Sequence, residues 1–136
     1  MLNLLRFSFL PKSLDLGLLV LRLYLGATMI YVHGWNKLLN FKTAAPGFQS
    51  PLSFLPPQAA YGLMVFAEVG CSILLIIGLL TRFASLTLLI NMTVAFVVVH
   101  AAALTGKGSG EMAFLYLGGY LVLFLAGPGK FSADRQ

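Results

Sequence analysis

The side chains best suited to chemistry in this sequence interrupt long apolar stretches or stand at their ends. Arg22, Glu68 and Asn91 lie within such stretches, and His33, Lys37, His100 and Glu111 lie at or near their limits. Two histidines and two carboxylates gathered at one membrane face have three uses. They can hold a divalent metal, since imidazole and carboxylate suit several ions. They can relay protons to a bound quinone, because histidine titrates near neutral pH. They can also satisfy one another at the interface with no chemistry. Neither a His-x-x-x-His nor a Glu-x-x-His spacing is present, so no metal is assigned. Haem held by His33 and His100 has no further support. There is no Ser-His-Asp or Cys-His arrangement. The single cysteine, Cys71, excludes an intrachain disulfide and a Cys-x-x-Cys pair, and it reads as a small packing residue. The Gly106-Lys107-Gly108-Ser109-Gly110 stretch lacks the spacing of a phosphate-binding loop.

Charged groups inside a bilayer are costly and normally have partners in the bundle interior. At about 1.5 Å per residue, Arg22 lies roughly 10 Å from one end of the bundle, Asn91 roughly 14 Å and Glu68 roughly 18 Å. A long arginine side chain spans such differences, so an intramembrane network of Arg22, Glu68 and Asn91 is expected. The competing reading is an Arg22 that snorkels to the interface and a Glu68 that is protonated. Helical side chains lean toward their own N-terminus, which draws Arg22 and Glu68 apart. The second constellation, His33, Lys37, Glu68, His100 and Glu111, is expected to line one polar pocket. Asp15, Arg22, His33 and Lys37 fall within about 80° on one helix, a continuous polar face directed into the bundle.

The elements that must position these groups are membrane helices. The 136 residues are 59% hydrophobic and 10% charged, where soluble domains carry roughly 25% charge. Four long apolar runs read as spans over residues 14–33, 58–80, 82–104 and 111–126. The fold class is all-α, a polytopic membrane four-helix bundle forming a single domain over residues 1–136. Residues 1–13 resemble an interfacial segment more than a cleaved signal, and the first span then acts as an uncleaved anchor. The longest loop, 34–57, mixes aromatics with prolines, as suits a headgroup layer, and loops of that length are often functional or folded back onto the bundle. The turn at Leu80-Thr81-Arg82 makes spans two and three antiparallel neighbours. Gly127-Pro128-Gly129 stops the fourth helix.

Basic residues outside the spans set orientation. Arg6, Lys12, Arg82, Lys130 and Arg135 lie on one side, and Lys37, Lys42 and Lys107 on the other. The excess of five over three places both termini in the cytoplasm. The basic residues stand singly beside apolar runs, so the net charge of +5 does not point to nucleic acid.

Several short pieces, in order, resemble the DoxX family of small bacterial membrane proteins over nearly the whole chain. They are Leu21-Arg22-Leu23 with Gly26, His33-Gly34 followed by Lys37-Leu38, Glu68 with Gly70, Gly78-Leu79, Thr81-Arg82, His100 and Glu111. The closing Gly127-Pro128-Gly129-Lys130-Phe131-Ser132-Ala133-Asp134 looks like the family's Gly-Pro-Gly-Arg-Tyr-Ser-Leu-Asp ending, with mild departures at Lys130, Phe131 and Ala133. The resemblance implies a four-helix membrane bundle. It also implies a redox association, because the family's name member is linked to a thiosulfate:quinone oxidoreductase. The expectation is an inner-membrane protein linked to quinone and working with a partner oxidoreductase subunit, since the chain has no evident flavin, haem or iron–sulfur motif. The alternative is a non-enzymatic membrane protein that binds or passes a small molecule or lipid, or a scaffold. The bilayer is its first partner, and self-association is compatible with either reading.

Overall fold

The computed structural model describes residues 1–134, and among these it is helical with no strand. Arg135, counted above for orientation, lies outside the described residues. Six helices follow in order: α1 (Leu2–Leu5), α2 (Leu14–Leu39), α3 (Phe41–Ala44), α4 (Pro57–Ile77), α5 (Thr81–Val99) and α6 (Glu111–Ala126). Helices α2, α4 and α5 are long and apolar enough to cross a membrane. Helix α6 has 16 residues, or about 24 Å, and completes the four-helix membrane bundle by packing along α5.

Each boundary has a local cause. Ser13 caps α2, its Oγ accepting from the Leu16 N–H at 3.2 Å, with Asp15 in the first turn. Pro57 opens α4 at the first helical position, where its missing N–H costs nothing. Gly78, at φ +77°, ends α4 in the left-handed region while the Gly78 and Leu79 amides both donate to the Leu74 carbonyl. Helix α2 runs six residues past His33, because no proline or glycine pair interrupts it before residue 40. Lys37 is therefore a helical residue with a fixed direction.

Helices α2 and α4 cross at close range. A Cβ on Gly26 would meet the Ile76 side chain at 2.7 Å and the Ser72 carbonyl at 2.9 Å, and one on Gly34 would meet Val69 at 2.7 Å. Small residues at such crossings let membrane helices approach closely without a hydrophobic driving force. Three helices widen to i→i+5 turns: Met29–Gly34 in α2, Phe66–Cys71 in the middle of α4 and Ala95–Val99 at the end of α5. Such turns are rare and recur at functional sites. Here two of them carry His33 and Glu68, and the third runs into His100.

At the end of the bundle that carries the start of α2, residues 127–134 return as a strap. The Lys130 amide donates to Asp15 Oδ1 at 3.0 Å, and the Asp134 amide donates to the Gly78 carbonyl at 2.8 Å. Asp134 then caps α5, accepting from the Leu80 and Thr81 amides at 2.8 Å each. Leu80 cannot supply that cap itself and sits at φ +49°, a conformation that costs a leucine about 1 kcal/mol. Desolvation opposes ionisation of Asp134, but the two amides and the Arg22 charge outweigh it and hold its pKa below the usual carboxylate range. Asp134→Ala is expected to cost about 1 kcal/mol as a lost helix cap. Because the folded pKa is depressed, the stabilisation is present at neutral pH and is lost as pH falls below about 4 through the folded value. Melting temperature measured from pH 7 to pH 3 should fall for the parent and less steeply for Asp134→Asn.

Candidate functional site

Toward the opposite end, called here the loop end, α4 and α5 diverge. Their extensive contact is confined to the Phe66–Cys71 and Ser72–Ile77 portions of α4. The space between them is a cavity of about 670 Å³, within the size range of sites for small organic ligands. One face of α5 lines it with Phe83, Thr87, Ile90, Asn91, Val94 and Ala95, a spacing that places all six on one helical stripe. The facing stripe on α4 includes Ala60, Tyr61, Met64, Ala67 and Glu68. Residues of the 40–56 connection close the loop end. Phe41 and Phe48 meet the Tyr61 ring edge-on at 5.4 and 5.3 Å, and the Tyr61 hydroxyl donates to the Lys37 carbonyl at 3.0 Å.

The polar heart of the cavity is an ion pair. Lys37 Nζ lies 2.8 and 2.7 Å from the two oxygens of Glu68. Glu68 is 3% exposed, and Asn91 Nδ2 approaches its Oε1 at 3.5 Å. The pairing follows from helix direction. The Lys37 side chain leans toward the start of α2 and that of Glu68 toward the start of α4, and since the helices are antiparallel the two lean toward each other. Lys37 spends its charge on the carboxylate and keeps a third N–H free for another acceptor. His33, half-buried, stands edge-on to the Tyr116 ring at 5.8 Å, and Tyr116 stacks on Tyr120 at 5.9 Å.

The structure thus brings His33, Lys37, Glu68, Asn91 and His100 onto one cavity wall. His100 binds the Gly108 carbonyl through Nδ1 at 2.7 Å, which fixes the loop before α6. Glu111 is not part of the wall. It is exposed in the first turn of α6, and Met112 and Ala113 line the cavity in its place. The expected Arg22–Glu68–Asn91 network is also corrected. Arg22 is fully buried but leans the other way, and it donates to the Leu75 carbonyl at 3.2 Å and to the Phe131 carbonyl. Only the Glu68–Asn91 part of that network is in contact. Among the described residues no three His, Cys, Asp or Glu side chains converge as metal ligands. Tyr61 and Tyr116 escaped sequence reasoning because a tyrosine in an apolar run carries no mark of which face it occupies.

A family model described as DoxX matches residues 17–101, which include the Lys37–Glu68 pair and most of the cavity wall. Two proteins of Haemophilus influenzae (strain ATCC 51907 / DSM 11121 / KW20 / Rd), each described as an uncharacterized protein, are similar. One is 31% identical over 124 residues, covering 87% of this chain and 81% of the relative. The other is 32% identical over 118 residues, covering 81% and 83%. No solved structure matches.

Proposed function

This chain belongs to the DoxX family, and from that premise and the cavity's chemistry we propose that it binds a quinone-class ligand and serves a partner oxidoreductase in the bacterial inner membrane. The observation that carries the reading is the Lys37–Glu68 pair, its carboxylate buried, set in a largely apolar cavity. A quinone needs this combination: hydrogen-bond donors for its carbonyl oxygens, apolar walls for its ring, and proton donors nearby. The free N–H of Lys37 and the amide of Asn91 are the donors. Reduction of a quinone takes up two electrons and two protons. In this reading the electrons come from the partner subunit, and both protons reach the ring oxygens from water through the His33 imidazole, while Glu68 stays ionised and holds the Lys37 ammonium in place.

A labelled quinone analogue should bind the purified protein. Lys37→Met and Asn91→Leu variants that remain folded should lose affinity by about tenfold each, the loss expected for one hydrogen bond to a buried acceptor. Glu111→Gln should bind as the parent does. Unchanged affinity in folded Lys37→Met and His33→Ala would overturn the reading. Purification from native membranes with lipid in the cavity, and without quinone or a redox subunit, would favour a non-enzymatic lipid-binding protein instead.

The orientation follows the basic residues: the strap end faces the cytoplasm and the loop end the periplasm. A reporter active only in the periplasm should work when inserted within residues 42–50 and fail after Gln136. The opposite pattern would invert the topology.

A further inference from the structure

The strap end of the molecule carries an apolar patch that the fold does not cover. Leu2, Leu4, Leu5, Phe7, Phe9 and Leu10 are each more than half exposed, and α1 buries no residue. The Phe7 and Phe9 rings keep to each other, with centroids 5.9 Å apart. A contiguous patch of this kind marks a surface that meets a partner or a membrane. The membrane is adjacent, because the first span begins at Leu14.

Cations surround the same end. Arg6 interrupts the apolar segment and Lys12 closes it. Lys130 is held beside the start of α2, since its amide donates to Asp15 Oδ1 at 3.0 Å. Arg82 follows the Leu80 and Thr81 amides that Asp134 caps. All four cations are exposed, and among the described residues none is paired with a carboxylate. Asp15 and Asp134, the acidic side chains at this end, are turned to backbone amides instead. The strap adds one more exposed aromatic, Phe131. The loop end differs. There Lys37 is spent on Glu68, and the exposed Glu111 offsets one of the two remaining lysines, Lys42 and Lys107.

We propose that the strap end is a binding surface for anionic phospholipid. The 1–12 segment lies in the bilayer interface with its leucines and phenylalanines at the acyl boundary. Arg6, Lys12, Arg82 and Lys130 hold phosphate-bearing headgroups around the start of α2. The two kinds of side chain divide the work. Apolar insertion binds a membrane whatever its headgroups, and the cations add the preference for negative lipid. Each Lys or Arg close to an anionic surface raises affinity about fivefold. A bilayer, unlike a protein partner, asks for no fixed side-chain register from a segment whose helix has four residues. The surface is independent of the quinone reading, because the cavity's polar groups lie at the other end of the bundle.

The test offers the full chain an equimolar mixture of phosphatidylglycerol and phosphatidylcholine with the same acyl chains, and native mass spectrometry reads the lipid retained. The parent should retain phosphatidylglycerol at least about tenfold over phosphatidylcholine, the preference that two such cations supply with margin. The variant Arg6→Gln/Lys12→Gln/Arg82→Gln/Lys130→Gln changes exposed positions only and should lose the preference. Lys42→Gln/Lys107→Gln, at the loop end, should keep it. Placement of the segment is read separately in nanodiscs containing phosphatidylglycerol, with a fluorophore on Ser8→Cys in a Cys71→Ala background. Lipids brominated along their acyl chains should quench that label, and Phe7→Ser/Phe9→Ser should relieve the quenching. Equal retention of the two lipids by the parent, or a preference that survives in the folded quadruple variant, overturns the anionic-lipid surface. A label that brominated chains fail to quench overturns the interfacial placement and leaves the patch to a protein partner.

Discussion

Lys37→Met is expected to lower stability in detergent by about 3 kcal/mol, and adding Glu68→Leu should restore most of the loss. Removing one partner of a buried pair strands the other, at a cost of about 3–5 kcal/mol. The low end applies because the Lys37 side chain is 31% exposed while that of Glu68 is 4% exposed. Among the described residues Glu68 has no second cation within hydrogen-bond range: its other neighbour at that range is the neutral amide of Asn91, at 3.5 Å. Replacing both members with apolar groups leaves no stranded charge, so the double variant should be more stable than Lys37→Met alone. Chemical or thermal unfolding of the four proteins gives a coupling of about 2 kcal/mol if the pair acts as described. The parallel cycle of Arg22→Met with Glu68→Leu should be additive within about 0.5 kcal/mol, since the two residues share no partner. Coupling in the second cycle and none in the first would exchange the assignments.

The contrast between these two cycles marks where sequence reasoning stopped. Composition and run length are enough to read the helices and the membrane, because apolar stretches of that length have one economical solution in a bilayer. The tight connection after Gly78 and the stop at Gly127-Pro128-Gly129 are legible for similar reasons, since glycine and proline act through the backbone itself. Partner choice among Arg22, Lys37 and Glu68 is different. It depends on where α2 ends, and an apolar-run count closes the span at His33, which turns Lys37 into a loop residue. In the fold α2 continues to Leu39, and that extension aims Lys37 back at Glu68. The tendency of side chains to lean toward the helix N-terminus already argues against Arg22 with Glu68. Only the observed length of α2 supplies the alternative partner.

Glu111 shows a second kind of limit. Its position at the start of α6 fixes its height in the membrane but not its azimuth. One residue of rotation, about 100°, separates a pocket carboxylate from an exposed one. The closing segment shows a third. Its residues resemble a family signature, yet nothing in an irregular stretch rich in glycine announces which helix ends it will bind. Its role emerges only when the Asp134 carboxylate is seen on the Leu80 and Thr81 amides.

Arg22→Met should be the most damaging substitution at the strap end, with a loss of about 3–4 kcal/mol. The guanidinium is fully buried and forks between the Leu75 carbonyl near the end of α4 and the Phe131 carbonyl of the strap. Hydrogen bonds from a charged donor contribute about 1.5–3 kcal/mol each. A cation there also meets the negative end of the α4 dipole and is attracted by Asp134. Arg22→Lys should recover less than half of the loss. A single ammonium on a shorter reach does not reproduce a planar fork between two carbonyls on different segments. The strap supplies a local readout separate from global unfolding. Lys130 is exposed within it, and trypsin cleavage after Lys130 in detergent should be slow in the parent and accelerated in Arg22→Met under conditions where the bundle remains folded. Quinone-analogue binding by that folded variant should change little, because the cavity's polar end lies in the opposite half of the bundle. A melting temperature and a Lys130 cleavage rate both equal to those of the parent would mean that Arg22 does not hold the strap, and that the carbonyls of Leu75 and Phe131 do not depend on it.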